Sequence, residues 1–368
     1  MRPTTLEELQ ALVRERPRLL PRGAGTKPAL STPPPGVASL DLTGLAGVRE
    51  YDPGEFTFTA LAGTPVADVA ALLAEHGQYL PFDPPLVERG ATLGGTVAAG
   101  LSGPGRYRYG GVRDFLIGVR WVDGAGQLLR GGGKVVKNAA GFDFPKLMVG
   151  SLGRLGVLAE VTFKVFPRPA AYATLRLDCQ AAGLGAAGRL AAALAAVTKL
   201  YGSQLDLESL DLRPDARSVA VYVRLGGLPE ALPARLDRLD KLLGGGDLLE
   251  GRDDAALWRE VREFTWVPAG AVLVKVPLTP ARVAALEAEL ERTPAERRYS
   301  AGAQVAWLAW PGPIADLDQL LKAQGLSGLL ILGEPLRTGP LLGAPRSDHA
   351  FAQRVRSALD TAGRFSAP

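Results

Sequence analysis

Cysteine and histidine are almost missing from this chain of 368 residues, which has one cysteine, Cys179, and two histidines, His76 and His349. A lone thiol makes no internal disulfide and cannot hold an iron–sulfur cluster that takes four thiolates, so any such electron relay lies in another chain. The two histidines stand far apart in sequence, no ligand cluster is in sight, and no metal site is expected. Long apolar runs are absent as well: none approaches the roughly 18 residues of a membrane span. The opening MRPTTLEELQ has acidic residues where a secretory leader would be apolar, so a soluble cytoplasmic protein is expected and an integral membrane one is not. Charge of one sign is scarce too. Lys and Arg number 42 against 38 Asp and Glu, a net of +4, and the arginines are spread along the chain, which gives no reason to expect a nucleic-acid partner. Two nucleotide motifs are also missing, the P-loop and the G-x-G-x-x-G turn set between a strand and a helix.

What the chain has in abundance is glycine, 45 residues, within a composition that is 47% hydrophobic and ordinary for a packed core. Its length suits two or three domains of roughly 100–200 residues. The glycines gather in three stretches. The central one, ATLGGTVAAGLSGPG at 91–105, carries Gly94, Gly95, Gly100, Gly103 and Gly105 and nearly excludes bulky side chains. Such backbone admits a close neighbour and leaves its amides free to donate. Before it, PRGAGTK at 21–27 follows the apolar pair Leu19 and Leu20 and ends in Thr26 and Lys27, an arrangement suited to cradling phosphate. After it, residues 138–156 hold Gly141, Gly153 and Gly156.

In chain order, Thr4 or Thr5 caps a helix with Leu6, Leu9 and Val13 at helical spacing, and Pro17 stops it. FTFTALAG at 56–63 alternates as a strand, and Thr64 and Pro65 then open a helix that His76 and Gly77 close. His76 is read as a helix-end residue. FLIGVRWVDGAGQLLRGGG reads as a hairpin turning at Asp123 and Gly124. A helix over 143–149 and a strand over 157–166 lead to Pro167 and Pro169, which mark a boundary between residues 1–168 and 169–368. Beyond it strands such as AVLVKVP and AQVAWLAW alternate with helices, so the fold class is α+β with helices packed on an antiparallel or mixed sheet. Trp307 and Trp310 are read as sheet packing in preference to interface anchors.

The ordered set PRGAGTK, ALAGTPVADVAALLAEHGQYLPFDPP, ATLGGTVAAGLSGPGR, GGVRDFLIGVRWVDGAGQLL and GGGKVVKNAAGFDFPKLMVGSLGRLGVLAEVTFKVFPRP resembles the FAD-binding domain of the vanillyl-alcohol oxidase and p-cresol methylhydroxylase (PCMH) type. More narrowly, it looks like the FAD-binding subunits of glycolate oxidases. The likeness covers about residues 17–169 and rests on the order and spacing of five motifs that are each weak alone. It implies a two-lobed FAD domain followed by a cap domain, with FAD held between the lobes. Carried onto this sequence, Arg22, Gly23, Ala24, Gly25, Thr26 and Lys27 would lie over the pyrophosphate, and Pro81 would wall the channel. Thr92, Leu93, Gly94, Gly95, Thr96, Ser102 and Gly103 would line the diphosphate, ribityl chain and flavin. Lys137, Asn138, Gly141 and Asp143 would form a further loop, with Gly153, Gly156 and Val157 at the adenosine or flavin end. Asp143 also fits the N-cap of its own helix. With so few histidines and Cys179 outside the motifs, FAD is expected to be noncovalent.

A flavin dehydrogenase of 2-hydroxy acids takes a base for the hydroxyl proton and cations for the carboxylate. Arg106, Arg108 and Arg113 are candidates for the clamp and Tyr107 or Tyr109 for a role at the flavin, against a reading as solvated loop residues. No catalytic residue is assigned. Phe142 stands where the family has tyrosine, and the tail RFSAP lacks the usual Asn-Pro-Gly ending. The leading expectation is a FAD-binding subunit working beside a catalytic FAD subunit and an iron–sulfur subunit of a glycolate oxidase complex. The alternatives are a stand-alone 2-hydroxy-acid dehydrogenase and a nonredox scaffold with a vestigial cofactor site.

Overall fold

The computed structural model describes residues 1–133, 142–180, 185–345 and 349–365. Its first helix, α1 (Leu6–Glu15), starts where Thr5 Oγ1 accepts the Glu8 amide at 3.2 Å while Glu8 reaches back to the Thr4 amide at 2.8 Å. These reciprocal bonds satisfy amides that a helix end otherwise leaves open. Strand β1 (Leu19–Arg22) runs into the first Gly-rich loop, then α2 (Pro28–Ser31) and β2 (Ala38–Asp41) follow, β2 pairing parallel with β1.

Next come β3 (Val48–Asp52), β4 (Thr57–Leu61), α3 (Val66–Ala74), β5 (Gln78–Tyr79), α4 (Leu93–Ala99), α5 (Arg106–Tyr109), α6 (Val112–Phe115), β6 (Leu116–Val122), β7 (Leu128–Gly132), α7 (Phe144–Met148), β8 (Val157–Lys164) and β9 (Phe166–Pro167). Strands β3-β4-β8-β6-β7 form an antiparallel sheet in that order. The period-two pattern decides its faces. Phe58 and Ala60 turn into a core shared with Val97 of α4 and Val69 of α3, while Thr59 meets Thr162 across β4 and β8 at 2.9 Å on the other face. The β6/β7 hairpin turns where the Asp123 carboxylate accepts the Ala125 and Gln127 amides at 3.0 and 2.8 Å.

The second half is built from β10 (Ala171–Cys179), α8 (Ala186–Tyr201), β11 (Leu207–Pro214), β12 (Val219–Gly227), α9 (Leu232–Leu243), β13 (Asp247–Glu250), α10 (Gly251–Glu263), β14 (Val272–Pro277), α11 (Pro280–Leu290), β15 (Glu296–Ser300), β16 (Val305–Trp310), α12 (Ile314–Ala323), β17 (Ser327–Leu332), β18 (Leu341–Gly343) and α13 (His349–Leu359). Its nine strands are antiparallel in the order β13-β10-β12-β11-β15-β16-β14-β17-β18. One face is covered by α8, α9, α11 and α12 through residues such as Val197, Leu239, Leu286 and Leu321. The opposite face takes α10, whose Trp258 and Val261 pack on Ala220 and Tyr222, and meets the first half. Trp307 packs on Phe264 with tilted rings, centroids 4.8 Å apart, and Trp310 donates to the Pro313 carbonyl at 3.0 Å, so both are packing residues.

Helix α10 ties the halves together. Its Glu263 carboxylate accepts the Val87 amide at 3.0 Å, the Arg262 carbonyl accepts Leu86 at 3.1 Å, and the Arg262 guanidinium lies 3.5 Å from Asp83. The final described residues return to the first half. Phe365 is fully buried beside Leu9 and Leu19, and the Leu19 amide donates to the Arg364 carbonyl at 2.8 Å.

Candidate cofactor site

A cleft opens between the loop at 21–27, the α4 residues Gly95 and Ala98, and Leu152. Among the described residues, the amides of Gly23, Ala24, Gly25, Thr26 and Lys27 donate no backbone hydrogen bond. Gly25 holds φ at 75°, a left-handed conformation that favours glycine. The cations beside these amides are lightly used. Arg22 Nε is buried without a partner, its far nitrogen 3.9 Å from Asp41, and Lys27 Nζ meets Thr26 Oγ1 at 3.0 Å. Lys27 is 6% exposed, and burial, with the Arg89 charge second, lowers its pKa to about 8. Five open amides, a hydroxyl and two cations answer the needs of a diphosphate, whose oxygens take charge-assisted bonds.

The glycine run at 91–105 works differently from its sequence reading. Helix α4 forms within it because Thr92 accepts the Gly95 amide at 3.3 Å as N-cap and Gly100, at φ 62°, closes it. Its amides are not open to a ligand. Leu93 donates to Thr64 O at 3.0 Å, Gly94 to Ala62 O at 2.7 Å, Gly103 to Phe82 O at 2.9 Å and Gly105 to Asp83 Oδ2 at 2.9 Å. The expectation of a continuous donor surface is therefore corrected, and open amides belong to the 21–27 loop. What the α4 glycines supply is contact. A Cβ at Gly94 would lie 2.7 Å from Ala62 Cβ and one at Gly103 2.9 Å from Asp83 Cβ, both closer than side chains tolerate. A Cβ at Gly23 would fall 3.1 Å from Thr92 Cβ and closer still to its Oγ1, so the loop and the α4 N-cap form two touching walls. Thr96 Oγ1 is buried there without a partner.

The other expected residues divide. Ser102 Oγ accepts the Val112 amide at 2.9 Å, and the Pro81 carbonyl backs onto Gly105, so both hold the loop in shape. Gly153 lies against Pro21 at the cleft, with 3.2 Å from its would-be Cβ to Pro21 Cδ. Gly156 and Val157 have packing roles instead: Trp121 blocks a Cβ on Gly156 at 2.7 Å, and Val157 is fully buried in the core under α1. Asp143 caps α7 by accepting the Lys146 amide at 3.1 Å. Lys137, Asn138 and Gly141 lie outside the described residues.

Of the candidate clamp, Arg108 is paired with Glu208 of β11, whose carboxylate also accepts Tyr109 Oη at 3.1 Å. Glu208 is 3% exposed, and burial raises its pKa against the pull of Arg108. Arg113 donates to the Lys146 carbonyl at 3.3 Å. Arg106 is exposed and has no acidic partner among the described residues. Sequence reading missed Glu208 and Lys275, polar residues at inward positions of strands otherwise apolar in texture. Cys179 is buried in the second half, and His76 sits exposed at the end of α3 against Tyr51, with ring centroids 5.3 Å apart. No His, Cys, Asp or Glu group suited to a metal occurs among the described residues.

Two large antiparallel sheets with helices packed on them, and an anion-cradling loop set against a glycine-rich helix, form an α+β chain whose cleft suits a phosphate-bearing cofactor. The family described as FAD binding domain matches residues 1–132. In structure the chain resembles alkyldihydroxyacetonephosphate synthase in two crystal forms, with TM-scores of 0.71 and 0.67 over 99% of this chain and 75% and 74% of those chains. At 16% identity this is a likeness of fold alone. Glycolate oxidase subunit GlcE of Escherichia coli is 34% identical over 307 residues, 82% of this chain and 79% of that protein. The chain belongs to the GlcE family. Glycolate oxidase subunit GlcD of Bacillus subtilis is 33% identical over 158 residues, 43% of this chain and 33% of its own length. FAD is the cofactor of this fold, and the residues present fit it, since the open loop and the buried, unpartnered Arg22 Nε and Thr96 Oγ1 leave donors for it to satisfy. No helix among the described residues is long and apolar enough to cross a membrane.

Proposed function

We propose that this chain is the FAD-binding subunit of a multi-subunit glycolate oxidase, acting in the cytoplasm beside a catalytic FAD subunit and an iron–sulfur subunit in the oxidation of a small 2-hydroxy acid. The observation that carries this reading is the likeness to glycolate oxidase subunit GlcE along most of both chains, where the GlcD match spans 43% of this chain and 33% of its own length. Residues 1–168 form the FAD domain and 169–368 the cap. Arg22 to Lys27 hold the diphosphate, Thr92 to Thr96 form the facing wall, and Gly153 closes the edge beside Pro21. The bound cofactor supplies hydride acceptance; this chain's own residues bind it and keep water from one side. Cys179 is buried in the cap and His76 lies at the far end of α3, which favours a noncovalent cofactor.

The test is the visible spectrum of the purified chain before and after anaerobic glycolate. A flavin band that survives acid release into solution and stays oxidised with glycolate is the expected result. Bleaching by glycolate would make the chain a stand-alone dehydrogenase. No band even after FAD is supplied would make it a nonredox scaffold.

A further inference from the structure

Strand β1 feeds the phosphate loop, and one of its sides is closed by residues 360–365. β2 pairs along the other side, while Leu19 bridges to Phe365 in parallel, its amide donating to the Arg364 carbonyl at 2.8 Å. Pro21 has no amide, so this four-residue strand has few ladder bonds to lose. The segment beside it is fastened at several points. Asp360 accepts the Arg364 amide on one carboxylate oxygen and the Phe365 amide on the other, both at 2.8 Å. The Arg364 guanidinium donates to the Arg16 carbonyl at 2.5 Å and to the Gly124 carbonyl at 2.9 Å, and Arg356 of α13 donates to the Phe365 carbonyl at 2.9 Å. Phe365 is fully buried beside Leu9 and Leu19. Gly124, read in the sequence as a turn glycine, also clears this segment: a Cβ there would lie 2.9 Å from Asp360 Cα, closer than side chains tolerate.

A buried phenylalanine stabilises any fold, and by itself it would make this segment ordinary packing. The fastenings are aimed more narrowly. They fall on Arg16 and Leu19, just before the cradle, whose own amides at 23–27 donate no backbone hydrogen bond among the described residues, so the loop takes its position from its flanks. Those flanks leave little slack, with Gly153 set against Pro21 and Gly23 against Thr92. We propose that residues 360–365 form a strap that positions the phosphate loop, with Arg364 and Phe365 as positioning residues that hold β1 from the side opposite β2. Neither residue lines the cleft. The identity of the cofactor rests on the functional reading above. A β1 freed on the strap side can shift against the Thr92 wall, and the open amides then no longer converge on one diphosphate. Strap docking and cofactor binding favour the same position of β1, so each strengthens the other by the same factor.

The experiment is fluorescence titration of the full apoprotein chain with FAD, well below its melting temperature, joined to amide hydrogen exchange of the unaltered chain with and without FAD. Arg364→Gln and Phe365→Ala are expected to bind FAD about fivefold more weakly or worse, the lower end of coupling between linked sites. Phe365→Leu keeps most of the buried volume and should bind close to normally. Val197→Ala, on the buried face of α8, is the control: it should lower the melting temperature and leave FAD affinity unchanged. FAD is expected to slow exchange at the Leu19, Arg364 and Phe365 amides. Unaltered FAD affinity in Arg364→Gln and Phe365→Ala would overturn the strap, as would an equal loss in Val197→Ala or exchange at those amides that FAD leaves unchanged. Where Phe365→Ala fails to fold, the half-buried Arg364→Gln and the exchange measurement still decide. An unaltered chain that binds no FAD would instead overturn the proposed function, and the strap with it.

Discussion

The contact between Gly23 and Thr92 sets the width of the cofactor cleft, and Gly23→Ala tests it with one methyl group. The added Cβ would lie 3.1 Å from Thr92 Cβ, 3.2 Å from Thr92 Cγ2 and nearer still to Thr92 Oγ1. That oxygen is also the N-cap acceptor for Gly95. The methyl therefore either pushes the 21–27 loop off α4 or turns Thr92 out of its cap. Overpacking of this kind costs about 1–3 kcal/mol and loss of a threonine cap about 1 kcal/mol. If half or more of that falls on the cofactor-competent geometry, FAD affinity drops by about twofold to a hundredfold, at 1.4 kcal/mol per tenfold. Fluorescence titration of the apoprotein with FAD reads this directly. The second variant, Gly23→Ala with Thr92→Ser, removes the Thr92 methyl but keeps the oxygen, and is expected to stay weak. Gly23→Ala with Thr92→Ala removes the oxygen as well and is expected to regain part of the affinity despite losing the cap. A Gly23→Ala protein that binds FAD as tightly as the unaltered chain would refute the two-wall geometry.

Lys27→Met should weaken FAD binding by about tenfold or more, since a charge-assisted bond to phosphate contributes about 1.5–3 kcal/mol. The pH dependence carries its own sign: without an anion Lys27 loses its proton near pH 8, so FAD affinity in the unaltered chain should fall as pH rises through about 8 and beyond, with Lys27→Met lacking that component. Because this folded pKa lies below the unfolded lysine value of about 10.4, the unfolded chain binds more protons between the two, and Lys27 makes the apoprotein's stability rise with pH there; a denaturant series from pH 7.5 to 10 compared with Lys27→Met isolates that contribution. In the second half, Asp211 is fully buried, accepts Arg298 Nε at 3.0 Å and Ser300 Oγ at 2.8 Å, and Arg298 is 1% exposed. Asp211→Ala strands that guanidinium and should cost about 3–5 kcal/mol in urea unfolding. Equal midpoints and slopes would show the pair to be dispensable.

The sequence made the loops legible and left their division of labour hidden. Local signals carried well where one chemistry decides one structure, as in the Thr5 cap with Glu8, the Asp123 turn, the Thr57 and Thr59 alternation and the Asp143 cap of α7. The first loop was legible as a small-residue turn after a short strand, and Gly25 takes the left-handed backbone that such a turn needs. The run at 91–105 was readable as special but not as helical. Glycines at 94 and 95 weaken a helix by roughly 1 kcal/mol each relative to alanine, and only the approach of Ala62 and the carbonyls of Thr64 and Ala62 offsets that. Those partners come from the turn after β4, some thirty residues earlier, and nothing local announces them. Gly156 misled in the opposite direction, because a glycine needed to clear Trp121 looks the same in sequence as one needed to clear a cofactor.

The residues that sequence reading passed over share one property: each acts across the boundary between the halves. Glu208 matters because β11 carries it to Arg108 and Tyr109 of α5, and Lys275 because β14 carries it to Gly100. Both positions face the first half on a sheet whose other face is buried under four helices, so the alternation that fills the core also selects which polar side chains point toward the cofactor half. Helix α10 then fixes the distance, with Glu263 holding two amides of the 86–88 loop and Trp258 donating to Thr174 Oγ1 at 2.8 Å on the sheet. A strut of this kind puts the inward charges of the second half at set places, Glu208 against α5 and Lys275 at the end of α4. It also accounts for the glycines at 103 and 105. They let the loop press against Asp83, the residue that Arg262 of the strut meets, so close backbone approach in one half is what allows the other half to reach it.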